Sequence, residues 1–262
     1  MTDRPVLVER QRHTMLVTLN RPQAMNCVDV NVARQVGDAL AEADEDRDVR
    51  VVVVTGAGQR AFCSGADLKA LARGEQVTPE DRRHWGFAGY VGHQISKPTI
   101  AAVNGLALGG GAEIVLASDL AVAAEDAQLG LPEVTRGILA GAGGPFRLTA
   151  QMPHKLAMEL LLTGAPIDAT TAQRWGLVNR AVPSGQVLEE AMRLADRISA
   201  NAPLAVQATK RVARGVVDGG VPREREAWEI SRAELALVKA SRDAKEGPLA
   251  FAEKRAPEWQ SR

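Results

Sequence analysis

The chain has 262 residues and a 45% hydrophobic composition, enough for one substantial core or a core with a smaller appendage. Its 32 lysines and arginines balance 32 aspartates and glutamates, so no global field draws it onto nucleic acid or an anionic membrane, and 3% aromatic content argues against stacking platforms for bases. Cys27 and Cys63 have neither metal-ligand nor disulfide spacing, the four histidines are scattered, and MTDRPVLVERQRH lacks the apolar core of a signal peptide; a reduced cytoplasmic setting is expected.

In chain order, residues 5–9 and 14–19 read as two short strands that end at the turn signal Asn20-Arg21-Pro22. Residues 28–44 have helical periodicity, with Val32, Val36, Ala39, Leu40 and Ala43 on one face. VRVVVVTG is a continuous β-branched run, as expected of a parallel strand covered on both faces. A polar, glycine-containing stretch over 72–90 breaks the regularity before the strand TIAAVNG, the glycine turn and helix GGGAEIVLAS, and the strand DLAVAAE. Residues 98–118 carry little charge, but Asn104, Glu113 and several glycines exclude a membrane span. After Pro145 the pattern is helical, with a short strand at VNRAVP, a helix capped by Ser184 that runs to about Ser199, and only helices over 203–255. The alternation predicts an α/β core with βαβ crossovers over 1–200, followed by a helical region over 201–262 that needs a surface to pack on. The charged residues at 42–50 and the basic ones at 210–214 read as solvated faces.

GAGQRA, residues 56–61, has the form G-x-G-x-x-A. A dinucleotide fingerprint would open a helix directly on its glycines and place an acidic residue about 20 positions on, at the end of a second strand. Here a second turn, CSGAD, follows, and Glu75 and Glu80 lie in a strand-poor stretch. CSGADLKAL and NGLALGGGAEIVL are more informative: in both, small residues precede a helix, whose first amides are unpaired and carry the positive end of the dipole. Two such turns can aim two amides at one oxygen, which is the construction of an oxyanion hole. Glu113 stands in the first helical turn after the glycines, in surroundings almost free of charge, and Glu133 follows in LGLPEVTRG. A carboxylate in so apolar a stretch is costly unless it is paired or used, although a helix-dipole role for either alone stays open. Cys63, Ser64 and His84 lack the G-x-S-x-G elbow of a nucleophile and read as lining or structural residues.

These pieces, together with LNRPQAMN (19–26), VVVTGAGQRAFCSGADLKAL (52–71), the run from Lys97 to Leu148, LLLTG with RWGLVN (160–179) and EGPLAFAEKRAP (246–257), resemble the enoyl-CoA hydratase/isomerase (crotonase) family over essentially the whole chain. The resemblance implies a crotonase (ClpP-like) fold, a spiral of ββα turns with a helical C-terminal region that assembles homotrimers or hexamers. It implies that the amides of Ala66 and Gly110 bind the carbonyl oxygen of an acyl-CoA thioester. Glu113 would hold and activate water, and Glu133 would exchange the proton at the α-carbon. Gly141 matches a glycine near the water site. Ala24, Asp67 and Leu68 match positions along the CoA moiety, and Lys254 a lysine that meets CoA phosphate from a neighbouring subunit. Coenzyme A is part of the substrate, and no metal or redox cofactor is implied.

Both glutamates together favour hydration of a 2-enoyl-CoA to a 3-hydroxyacyl-CoA. Ala140, where many hydratases have proline, departs from the short-chain fatty-acid enzymes. HWGFAGY and EGPLAFAEKRAPEW look more like the carnitinyl-CoA dehydratase branch, which makes crotonobetainyl-CoA an alternative substrate, with Trp85, Phe87 and Tyr90 the local aromatics for a trimethylammonium group. A non-catalytic acyl-CoA binding subunit is a further alternative, which the paired carboxylates argue against.

Overall fold

The computed structural model describes residues 4–261. Strands β1 (Val6–Gln11) and β2 (Thr14–Leu19) form an antiparallel hairpin, and Arg21 then leads into a 3-10 turn at Pro22–Ala24. Helix α1 (Val30–Glu45) starts two residues later than its periodicity suggests, because Asp29 is the cap: its carboxylate accepts from the Val32 amide. The predicted apolar face, Val32 to Ala43, is buried.

Three similar turns of chain then follow. The first is β3 (Val51–Gly56), β4 (Ala61–Cys63) and the short α2 (Leu68–Ala72). The second is β5 (Thr99–Val103), β6 (Leu106–Leu108) and α3 (Gly110–Ala117). The third is β7 (Leu120–Ala124) and β8 (Gln128–Gly130), followed by a 3-10 turn over Pro132–Arg136 and α4 (Gly144–Gln151). In each turn the first strand joins one sheet and the second strand another. The result is a six-stranded sheet in the order β1-β2-β3-β5-β7-β10 and a four-stranded sheet β4-β6-β8-β9, where β9 is Ile167–Asp168 and β10 is Arg180–Val182. From β2 to β10 the larger sheet is parallel. This is the spiral of ββα turns of the crotonase fold. All six residues of β3 and all five of β5 are buried, as two-sided coverage of a parallel sheet requires.

The sequence reading lacked the smaller sheet altogether. Its strands are two or three residues long, too short to show a period, and their glycine neighbours read as turns. Ser184 is also corrected. It opens a 3-10 turn and bonds to Asp126, while α7 (Val187–Ser199) begins behind Gln186 without a side-chain cap.

Helices α5 (His154–Thr163) and α6 (Ala169–Arg174) close the core domain, and α8 (Pro203–Arg214), α9 (Arg225–Ala240) and α10 (Asp243–Glu253) form the helical C-terminal region. The basic residues at 210–214 are not simply a solvated face. Lys210 Nζ and Arg214 Nε meet the two oxygens of Asp119 at 2.7 and 2.8 Å and fix α8 to the end of α3. The α10 helix seats Gly247 against the Arg136 carbonyl and Phe251 under the Arg136 guanidinium, 3.8 Å from the ring centroid. Among the described residues no helix is long and apolar enough to cross a membrane, and no group of three or more His, Cys, Asp or Glu side chains is placed to hold a metal ion.

Candidate active site

The two small-residue turns lie against each other. Ala66 forms an isolated parallel bridge with Val28, in which Val28 N donates to Gly65 O and Asp67 N to Val28 O. A parallel bridge of this register uses the groups on either side of Ala66 and turns the Ala66 amide away from the pairing. Gly110 is the first residue of α3, where an amide has no partner inside the helix. Gly65 holds a left-handed φ of 94°, and a Cβ there would stand 3.2 Å from Gly110 N. Among the described residues neither the Ala66 nor the Gly110 amide donates to a protein acceptor. Two free donors therefore sit on adjoining loops.

The glycines after β6 are fixed by close approach. Gly109 has a φ of 57°, a Cβ on Gly110 would collide with the Phe87 ring, and one on Gly111 with the Cys63 carbonyl. The same crowding brings the acid from the next turn: Glu133 Oε1 lies 2.8 Å from where a Gly109 Cβ would be.

Glu113 is 3% exposed on α3. Its Oε1 accepts from the amides of Ala142, at 2.7 Å, and Gly144, at 2.8 Å. Burial pushes its carboxyl up to about 7, against the pull of those two amides and of the Arg147 charge. Burial, reinforced by repulsion from Glu113, pushes Glu133 to about 7 as well. Glu133 Oε2 is buried with no hydrogen-bonding partner. The two carboxyl groups thus sense each other; two fixed amides favour the charged form of Glu113, whereas Glu133 has only the weaker pull of its own backbone amide.

Gly141 immediately precedes the loop that holds Glu113, and a Cβ on it would meet Leu235 Cδ2 of α9 at 2.9 Å. Ala24 ends the 3-10 turn, with its carbonyl accepting from Cys27 N at 3.1 Å. The Asp67 carboxylate is committed within the protein: it caps α2 through Lys69 N and Ala70 N and pairs with Arg21 at 2.8 Å. Burial raises its pKa, but the Arg21 bond and the Ala70 amide outweigh it and hold the carboxyl low. Leu68 is 54% exposed beside it. Lys254 is the exposed, left-handed cap of α10, and no described contact links it to Glu113 or Glu133.

Cys63 is fully buried, and burial pushes its thiol up to about 12, which removes it as a nucleophile. Of the aromatics considered for a cation, Trp85 is buried and stacked on His93 at 4.5 Å, Tyr90 is buried with its hydroxyl bonded to Ser118, and Phe87 covers Gly110. They form no open cage.

The sequence reading missed the Ala142 and Gly144 donors. The signal was present in AGAGGPF, glycines followed by a proline that opens α4, the same device that marked the other two turns. It also missed Arg147, 4% exposed, whose guanidinium pairs with Glu224 at 2.8 Å and ties α4 to the turn before α9. That partner lies 77 residues away, beyond any local pattern.

The family model described as enoyl-CoA hydratase/isomerase matches residues 9–262. A carnitinyl-CoA dehydratase of Proteus mirabilis is 40% identical over 94% of each chain, and an enoyl-CoA hydratase of Mycobacterium tuberculosis is 43% identical over 98% of this chain and 96% of that one. A crystal structure of a carnitinyl-CoA hydratase from Mycobacterium avium superposes with a TM-score of 0.98 at 56% identity, over 100% of both chains. With its paired glycine turns, its two buried glutamates and matches over nearly its full length, this chain belongs to the enoyl-CoA hydratase/isomerase family.

Proposed function

We propose that the protein is an enoyl-CoA hydratase, a hydro-lyase that adds water reversibly to a 2-enoyl-CoA. The observation that carries this reading is the unequal pair of buried carboxyl groups beside two free amides. Acyl-CoA binding alone requires no such pair.

In this mechanism the thioester carbonyl oxygen accepts from Ala66 N and Gly110 N, which stabilise the enolate as it forms. The two amides on Glu113 favour its charged form, whereas Glu133 Oε2 has no donor. A single proton shared by the pair therefore rests on Glu133. For hydration, Glu113 takes a proton from water as the water oxygen bonds to the β-carbon, and Glu133 gives its proton to the α-carbon. Dehydration runs the same steps backwards. Every proton is accounted for without a redox change, so the reading needs no cofactor beyond the coenzyme A of the substrate.

Gly141 would border the water, and the Ala24, Asp67 and Leu68 segment would run beside the CoA, with the Asp67 carboxylate shaping the loop rather than meeting the ligand. Lys254, exposed at the end of α10, would reach CoA phosphate on a neighbouring subunit. A homotrimer, or a hexamer of paired trimers, is supported by helix α8, none of whose residues is buried, with Leu204 78% and Val212 82% exposed. Two free, buried cysteines suit a reducing cytoplasm.

The test follows loss of conjugated-thioester absorbance with crotonyl-CoA and crotonobetainyl-CoA. Turnover by the wild type, lost in both Glu113→Gln and Glu133→Gln, supports the reading; equal rates in all three proteins refute it. Crotonobetainyl-CoA is included because relatives at 40% and 56% identity carry carnitinyl-CoA names.

A further inference from the structure

A cavity of about 630 Å³ lies between the 83–94 segment, the turn at 217–222 and the start of α9. Two of its lining residues are chain neighbours of residues that pack on the acidic site. Gly86 lines it and precedes Phe87, the ring over Gly110; Gly141 lines it and precedes Ala142, the amide donor to Glu113. An acyl group whose thioester sat on the two free amides would have this neighbouring space for its far end.

The walls are unevenly charged. Arg83, Arg147, Arg225 and Arg232 face Asp218 and Glu224. Glu224 is taken by Arg147, and Arg83 is paired with Glu80 at 3.2 Å. Among the described residues the exposed Arg225 and Arg232 have no carboxylate within ion-pair distance, and besides Glu224 the acidic lining of the cavity is Asp218. The Arg147 Nη1, buried behind the wall without an acceptor, adds to the positive balance.

The cavity also offers a cation little. Its Trp228 already has the Arg147 guanidinium 5.4 Å from the ring centroid and Phe146 edge-on at 5.0 Å. A trimethylammonium end would meet net positive charge and an aromatic face already in use. A carboxylate would meet two arginines able to hold it by charge-assisted hydrogen bonds.

We propose that the acyl group taken by this protein ends in a carboxylate bound by Arg225 and Arg232, so that the substrate is a CoA monothioester of an unsaturated dicarboxylic acid. The assignment rests on the acyl-CoA reading of the adjoining site.

The test separates binding from turnover. Calorimetry with the full-length protein compares glutaryl-, adipoyl- and suberoyl-CoA with the saturated monocarboxylic thioesters of equal carbon number, and with γ-butyrobetainyl-CoA. At least one dicarboxylic member should bind about tenfold or more tightly than its uncharged counterpart, and in Arg225→Gln/Arg232→Gln that ratio should fall to within about twofold. No dicarboxylic preference at any length, a preference unchanged in the double variant, or tightest binding of the trimethylammonium thioester overturns the proposal. Hydration of trans-2-hexenedioyl-CoA is then measured beside crotonyl-CoA. If neither is hydrated while the binding preference stands, the hydratase reading falls and the carboxylate subsite survives.

Discussion

Glu113 and Glu133 share one elevated pKa of about 7 but not one environment: two backbone amides hold the Glu113 carboxylate, while an oxygen of Glu133 is buried with no partner. The difference divides labour between two chemically identical side chains. Burial raises both, and the fixed donors decide which one keeps the charge.

A pair that works with one proton is inactive when it holds two or none. The pH dependence of kcat/KM for hydration should be bell-shaped with its maximum near neutrality, and dehydration should share both limbs, since each direction uses a singly protonated pair. The limbs should belong to the pair, so Glu133→Gln should flatten one of them in whatever activity remains. Stopped-flow rates from pH 5 to 9 decide this; a monotonic profile in the wild type would show that the carboxyls do not act together.

The same shifts govern stability. Both carboxyl pKa values rise on folding from 4.5 to about 7, so between those values the folded protein binds more protons than the unfolded chain, and stability falls as pH rises. Glu113→Gln/Glu133→Gln removes both titrations. The double variant should gain on the wild type between pH 5 and pH 8 by on the order of 5 kcal/mol at most, about half from each carboxyl. Urea melts at the two pH values measure it, and a wild type that loses nothing relative to the variant would contradict the buried, mutually repelling arrangement.

Asp119 presents a case of opposite sign. Burial raises its pKa, yet Lys210 and Arg214 lower it further, and the carboxyl titrates below the ordinary range. Its contribution is therefore full above the unfolded value and is lost as pH falls through the folded one. Asp119→Ala leaves Lys210 and Arg214 partly buried without their partner and should cost about 3–5 kcal/mol by chemical denaturation at pH 7. Protease cleavage within α8 should rise with it, because these two pairs join that helix to the core. A loss below about 1 kcal/mol would class the cluster with ordinary surface pairs.

How much of this was legible in the sequence depends on the range of the interactions. The α1 face and the β-branched β3 run are local periodicities and could be read directly. Glu113 and Glu133 stood out because a charge in an apolar stretch is expensive wherever the chain folds. Strands β4, β6 and β8 could not be seen, since three residues carry no period and their pairing partners come from other turns of the spiral. The grip of Ala142 and Gly144 on Glu113, and the match of Lys210 and Arg214 with Asp119, connect residues 29 to 95 positions apart. Periodicity is blind to such pairs.

Gly110 needs no left-handed φ, but the space a side chain would take there is filled by the Phe87 ring. Gly110→Ala should lower kcat/KM by about 100-fold or more, because the new methyl collides with that ring and displaces the amide proposed to hold the thioester oxygen. If displacement is the cause, making room should undo it: Phe87→Ala in the same chain should recover about tenfold relative to Gly110→Ala alone. Folding controls by circular dichroism separate this from general damage. Should the double variant instead lose the product of both single effects, the ring and the glycine act independently, and the close contact is not what positions the amide.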